Sequence, residues 1–228
     1  MTRYAIGDIH GGAKTFSALL KRLNLRHSDS LYLLGDYVDR GKDSKGVLDI
    51  MLSLMDSGYD LRPIRGNHDD MMLHAMTGNN DKFSDQWLST WGRKTLRSFG
   101  VATADLVPAR YLTLIDSLPF IQLTENYVFV HAGLDMDTED PLTQSSPTVM
   151  QWGEINAVDS KKLGGRKLVT GHTIRPLPLI EVSLLSNRIY LDNGACTNML
   201  PDLGNLVALN IDTLELTIQP WLDGEVLP

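Results

Sequence analysis

Three rounds of one alternation open the chain. Tyr4 to Gly7 is a short apolar stretch, and Ala13 to Leu23 then carries Phe16, Leu19, Leu20 and Leu23 at helical spacing. Leu31 to Leu34 is an unbroken apolar run ending at Gly35-Asp36, and Val47, Leu48, Met51 and Leu54 give Ser44 to Met55 a helical face. Leu61 to Ile64, the loop Gly66-Asn67-His68-Asp69 and a helix beginning over Asp70 to Met76 make the third round. Parallel strands need crossover connections, so this alternation predicts an α/β architecture with a mainly parallel sheet whose faces are covered. Asp81 to Leu118 reads as a helical insert holding Trp87, Trp91, Phe99 and Tyr111, with Gly100 as a break. Predicted strands then follow at Phe120–Leu123, Tyr127–Val130, Lys167–Thr170, Leu179–Val182, Ile189–Leu191, Leu206–Ile211 and Leu214–Ile218. They point to a second sheet, more antiparallel in character. Asp135 to Ser160, rich in Asp, Ser, Thr and Pro, reads as a long surface loop.

Composition narrows the chemistry. The 228 residues suit a single catalytic domain, and no apolar run approaches the roughly 20 residues of a membrane span. The N-terminus runs directly into strand-like sequence without a secretory leader, so the expected location is the cytoplasm. Cys196 is the only cysteine, which excludes an internal disulfide and a multi-thiolate metal site. The formal net charge of −7 argues against a stable nucleic-acid partner, which would need a basic stripe.

Four of the six histidines, His10, His68, His131 and His172, stand in short loops directly after apolar runs. In an open α/β sheet such loops converge on one crevice. Asp8 accompanies His10, Asp36 and Asp39 share a loop, and Asn67 precedes His68. Imidazole, carboxylate and amide donors without thiolate suit Mn²⁺, Fe²⁺, Zn²⁺ or a related divalent ion. Five or more such ligands exceed what one ion needs, whereas two ions sharing a carboxylate would use them all. Arg40 and Arg65 adjoin the same motifs and can each grip a phosphate with a planar guanidinium. His68 is the candidate general acid, with Asp39 orienting its ring.

Read in order, Gly7-Asp8-Ile9-His10-Gly11, Gly35-Asp36-Tyr37-Val38-Asp39-Arg40-Gly41, Arg65-Gly66-Asn67-His68-Asp69, His131-Ala132-Gly133 and Gly171-His172-Thr173 closely resemble the calcineurin-like metallophosphoesterases. The resemblance is to the phosphoprotein phosphatase branch and its short bacterial and phage members. It implies a two-sheet β-sandwich flanked by helices, the αββα arrangement. Asp8, His10 and Asp36 would hold a first divalent ion, and Asp36, Asn67, His131 and His172 a second. Mn²⁺ is the expected metal, with Fe, Zn, Ni or Co as the other fitting ions. Asp39 and His68 would form the acid pair, and Arg40 and Arg65 would bind phosphate, while a metal-bridging hydroxide attacks phosphorus.

Two positions depart from that pattern. Glu154 follows Trp152-Gly153 where the family usually has an arginine, leaving Arg166 or Arg175 as substitutes, and Asp69 stands where many members have Glu. The expected activity is hydrolysis of phosphoserine and phosphothreonine in a phosphoprotein or phosphopeptide by a monomeric enzyme. Its rival is diadenosine tetraphosphate hydrolysis, in which a phosphoanhydride leaving group needs less help from an acid, so Asp39 favours the phosphatase. A non-catalytic scaffold would have lost ligands, and a nuclease would carry a basic stripe. Trp87, Trp91, Met71, Met72 and Met76 read as packing residues, and Cys196 as a packed thiol.

Overall fold

The computed structural model describes residues 1–78, 82–154, 157–197 and 201–224. Its first half is β1 (Arg3–Ile6), α1 (Ala13–Leu23), β2 (Ser30–Leu33), α2 (Ser44–Asp56), β3 (Asp60–Pro63) and α3 (Asn67–Met76). Helices α4 (Lys82–Ser89), α5 (Gly92–Phe99) and α6 (Ala109–Asp116) follow, with a 3-10 turn at Ala104–Leu106. Asp81, where the helical insert was expected to begin, lies outside the described residues. Gly100 ends α5 in the left-handed region at φ 69°, as its place in the sequence suggested. The second half comprises β4 (Ile121–Leu123), β5 (Tyr127–Val130), α7 (Pro141–Gln144), α8 (Pro147–Trp152), β6 (Lys167–Thr170), α9 (Leu177–Ser183), β7 (Arg188–Tyr190), β8 (Asp192–Asn193), β9 (Asn205–Asn210) and β10 (Leu216–Pro220).

Two sheets result. One runs β10-β9-β1-β2-β3, with β8 paired to β9; the other runs β4-β5-β6-β7. Their facing sides bury Ala5, Tyr32, Phe129, Val169, Ile189, Val207 and Leu209 in one core, where the Tyr32 and Phe129 rings stack at 4.4 Å. Alternate residues point the other way, as the two-residue period of a strand requires. Ile6, Leu31 and Leu33 pack against α1, α2 and the helices of residues 82–116, while Val128, Val130 and Leu168 pack against Leu134, Met150 and Leu163.

Three expectations are corrected. The antiparallel strands do not gather in the second sheet: β5-β6 and β6-β7 are parallel, whereas β8, β9 and β10 join the first sheet antiparallel. Leu179–Val182 is not a strand but lies within α9. Proline at the start fits a helix and would cost a ladder bond in a strand. Only Ile180 and Ser183, three apart, are buried, while Leu179 and Val182 stay 53% and 67% exposed, a helical pattern. The stretch from Asp135 to Ser160 contains two short helices, each opened by proline and capped by the Asp140 or Ser146 side chain. Among the described residues no helix is long and apolar enough to cross a membrane.

Candidate active site

Strands β1, β2 and β3 are parallel, so the loops after them emerge together, and those after β5 and β6 meet them from the second sheet. His131 Nδ1 lies 2.7 Å from the Leu34 carbonyl, and both carboxylate oxygens of Asp8 accept from the His172 N–H at 3.1 Å. Two of the glycines are there for space. A Cβ on Gly66 would sit 2.2 Å from the Asp36 carboxylate, and one on Gly171 would sit 2.1 Å from that of Asp8.

The donor atoms fall into two groups that share Asp36. One is His10, Asp36 and His68, the other Asp36, His131 and His172, with potential ligand atoms in each within 4.8 Å of one another. His10 Nε2 lies 3.5 Å from Asp36 Oδ2 and 3.9 Å from Asp8 Oδ2. His131 Nε2 is 3.4 Å from Asp36 Oδ1 and 2.8 Å from Asn67 Oδ1, and His172 Nδ1 is 3.1 Å from the same amide oxygen. Two histidine nitrogens thus meet at the oxygen of Asn67, and one of them also faces the Asp36 carboxylate.

This arrangement fits a pair of divalent cations. His10 Nδ1 donates to the Val38 carbonyl, which turns Nε2 inward as an acceptor; that nitrogen is buried and has no hydrogen-bond partner. His131 is oriented in the same way by Leu34. A backbone carbonyl behind the ring is the usual device for fixing a metal-binding tautomer. Asp192, buried next to the cluster, also leaves Oδ2 without a partner.

Electrostatics agree with that reading. Burial raises the Asp8 carboxyl well above its usual range, and Asp192 and Asp36 add to it. Burial opposes ionisation of Asp36 too, but His131, His68 and His10 outweigh it and hold its carboxyl well below normal. Burial would lower His131, yet Asp36 and Asp8 lift it to about 10. His172 falls to about 4 through burial and the neighbouring His131. The partnerless Asp192 Oδ2 and His10 Nε2, together with histidines displaced in opposite directions in one buried pocket, make a donor set that a bound cation would satisfy.

His68 and Asp39 form a buried pair, Nδ1 to Oδ2 at 2.7 Å. Arg40 is largely buried near the same carboxylates: burial depresses its guanidinium, but Asp36, Asp192 and Asp8 raise it overall. Arg65 does not join them. Its Nη1 is bound to Asp70 at 3.0 Å, its Nη2 donates to the Asp116 carbonyl, and its plane lies 5.0 Å over the Phe120 ring. Among the described residues no hydrogen bond or ion pair ties Arg65 to the His/Asp cluster, while its Nε is buried without a hydrogen-bond partner. Arg166 is likewise held by the carbonyls of Thr124 and Leu163, while Arg175 lies over the ring of Tyr190. Glu154 lines a cavity of about 550 Å³ with Asp135 and Asp137.

Several residues hold the site in ways that were not assigned to them from sequence. The Asp69 carboxylate accepts from the backbone N–H groups of Asp36, Tyr37 and Gly66 at 2.8, 2.9 and 3.0 Å, fastening the second loop to the third. Its third place in α3, directly after Gly66, is the signal that could have found it, since side chains there reach back to the helix start. Trp87, Thr95 and Ser44 converge on Asp39, and nothing local in the sequence announces that.

Comparison with known proteins places these features. The family profile described as calcineurin-like phosphoesterase matches residues 1–204. The symmetrical bis(5'-nucleosyl)-tetraphosphatase of Acidovorax sp. is 44% identical over 79 residues, 34% of this chain and 27% of that protein. The chain thus spans about a quarter of the length of that relative. The asymmetrical bis(5'-nucleosyl)-tetraphosphatase PrpE of Anoxybacillus flavithermus is 24% identical over 241 residues, covering 94% of this chain and 92% of its own. A serine/threonine phosphatase structure from Saccharomyces cerevisiae shares the fold, with TM-score 0.64 and 14% identity over 100% of this chain and 81% of that one.

Proposed function

The chain belongs to the calcineurin-like phosphoesterase family, and on that footing we propose that it hydrolyses phosphate monoesters, with phosphoserine and phosphothreonine as the substrate class. The observation that carries this reading is the buried Asp39–His68 hydrogen bond of 2.7 Å beside the metal ligands. Asp8, His10 and Asp36 would hold one divalent ion, and Asp36, Asn67, His131 and His172 the other. When bound, the ions supply Lewis acidity and lower the pKa of a water towards neutrality.

The chain's own groups do the rest. Arg40 meets the non-bridging phosphate oxygens and offsets their charge. Asp39 holds Nδ1 of His68, leaving its other ring nitrogen to deliver a proton to the departing oxygen as the P–O bond breaks. An alkoxide is a poor leaving group, and a positioned acid is worth roughly 10²–10⁴ in rate.

A second reading is hydrolysis of a dinucleoside tetraphosphate. The relatives named above favour it, because one of them aligns along nearly the whole chain. Its phosphate leaving group departs without needing an acid, which leaves the Asp39–His68 pair unexplained. The test is a steady-state comparison on metal-stripped protein reconstituted with Mn²⁺, setting a phosphoserine peptide against diadenosine tetraphosphate. A higher kcat/KM for the peptide supports the monoesterase; a higher value for the dinucleotide replaces it with the second reading.

A further inference from the structure

Aside from the metal ligands, Asp39 is the most heavily bonded carboxylate of the buried site, and most of its partners come from α4 and α5. Trp87 Nε1, on α4, donates to both oxygens of Asp39, at 3.0 and 2.8 Å. Thr95 Oγ1, on α5, donates to Oδ1 at 2.6 Å. With His68 on Oδ2, every partner of this carboxylate is a side chain, and Asp39, Trp87 and Thr95 are all fully buried.

The main chain is gripped as well. The Asp39 N–H meets Thr95 Oγ1 at 3.1 Å and Ser44 Oγ at 3.0 Å, and Lys94 Nζ donates to the Arg40 carbonyl at 3.0 Å. Asp39 and Arg40 both have left-handed backbone, φ 71° and 60°, which side-chain-bearing residues adopt only under external constraint. Trp91 sets its ring edge-on to His68 at 4.7 Å. Trp87 is itself wedged, because a Cβ on Gly92 would come within 2.6 Å of its ring.

A tryptophan needed only for packing has no reason to aim its N–H at a carboxylate. Solvating a buried charge is one reason, but that alone would not also fix the backbone of Asp39 and Arg40 and flank the His68 ring. With Thr95 on Oδ1 and Trp87 spanning both oxygens, the plane of the carboxylate is fixed, and the Oδ2 it holds toward His68 Nδ1 sets the direction of the imidazole.

We propose that Trp87 and Thr95 are positioning residues for the proton transfer, so that the segment from α4 to α5 determines how well the enzyme expels a poor leaving group. This rests on the acid-pair reading above. The experiment measures kcat and KM of the full metal-loaded chain on phosphate monoesters graded from p-nitrophenyl through phenyl to an alkyl ester. Wild type, His68→Asn, Trp87→Phe, Thr95→Val and Thr95→Ser are compared at equal metal content.

His68→Asn should steepen the dependence of kcat on leaving-group basicity. Trp87→Phe, which keeps an aromatic ring, and Thr95→Val, which keeps the side-chain shape, should steepen it part of the way. Their loss on the alkyl ester should be roughly 10-fold, a fraction of what a general acid supplies, and clearly larger than on p-nitrophenyl phosphate. Thr95→Ser, which retains the hydroxyl, should restore the wild-type slope. Wild-type slopes for Trp87→Phe and Thr95→Val beside a steep His68→Asn would overturn the positioning role while sparing the acid pair. A wild-type slope for His68→Asn itself would overturn both.

Discussion

The start of α1, which follows directly on the loop of His10, is capped from the far end of the chain. Gly12 has no side chain to offer, and Asp223 supplies the cap, accepting from the N–H groups of Lys14 and Thr15 at 2.9 Å each and from Thr15 Oγ1 at 2.6 Å. The Thr15 hydroxyl in turn accepts from the Leu222 N–H, and the Trp221 ring leaves no room for a Cβ on Gly12. Asp223→Ala therefore frees two helix-start donors and removes a negative charge from the positive end of the helix dipole. Losing a cap costs about 0.5–2 kcal/mol, and a charge at that end is worth about 0.3–1 kcal/mol. Asp223 is only 9% exposed and satisfies three donors, which places the total near the upper end, about 2 kcal/mol. For a chain of this size that lowers Tm by about 4–8 °C. Asp223→Asn keeps an acceptor and should lose about half as much. Urea unfolding of metal-stripped protein reads the change as a shift in midpoint at constant m-value. An alanine variant within about 0.5 kcal/mol of wild type, the range of ordinary surface substitutions, would refute the idea that this terminal segment anchors α1.

Four further outcomes are expected. Asp69→Ala strands the N–H groups of Asp36, Tyr37 and Gly66, at about 1–3 kcal/mol each; calorimetry should show a lower Tm and weaker metal binding, and unchanged metal affinity would count against the clamp. His131, held at about 10 in the metal-free site, contributes stability that is complete below its unfolded value of 6.5 and lost as pH rises through about 10. Because a metal must displace that proton, binding at pH 8 should release about one proton, measured by titration calorimetry in two buffers of different ionisation enthalpy. Arg40→Met should raise KM for phosphate esters by roughly 10-fold or more, whereas Arg65→Met should lower Tm through loss of Asp70 and the Asp116 carbonyl and leave KM near wild type in the same assay. Cys196 is buried and its thiol is pushed up to about 11 by burial, so Cys196→Ser should keep turnover; complete loss would point to a thiolate nucleophile.

The strand–loop–helix rounds of the first half were legible because their periodicity is local, and α1 begins and ends where its apolar spacing does. That the candidate ligands would meet was legible for a related reason: His, Asp and Asn recur at the ends of apolar runs, and parallel strands bring such ends together. What failed was local ambiguity. The short stretch Leu179-Ile180-Glu181-Val182, apolar but for Glu181, fits a strand or a helix, and the prolines at 176 and 178 were the deciding signal. The contacts of Arg65 with Asp70, five residues on, and with the backbone of Asp116 were not visible in its motif either. Trp87 packs in the core as its sequence context suggested, but its N–H also reaches Asp39 across 48 residues, which no local pattern shows.

The unread contacts share a physical purpose. His10, Asp36, Asp39, Arg40 and His172 all have left-handed backbone although none is glycine. Glycine would take that conformation freely, but the chemistry at these positions requires a side chain, so each carries a strain of about 1–3 kcal/mol. Each strained residue is met by a distant hydrogen bond. Asp69 holds the N–H of Asp36, Thr95 and Ser44 hold that of Asp39, Lys94 holds the Arg40 carbonyl, and Asp8 holds the His172 N–H. The His10 carbonyl accepts from the N–H of Gly41 in the neighbouring loop. Hydrogen bonds to charged groups are worth about 1.5–3 kcal/mol, and neutral ones about 0.5–1.5, so these clamps are of the same size as the strain they oppose. The motifs alone therefore do not make the site: ligands and acid take their positions only once residues from both sheets and from the helices of residues 82–99 have closed on them.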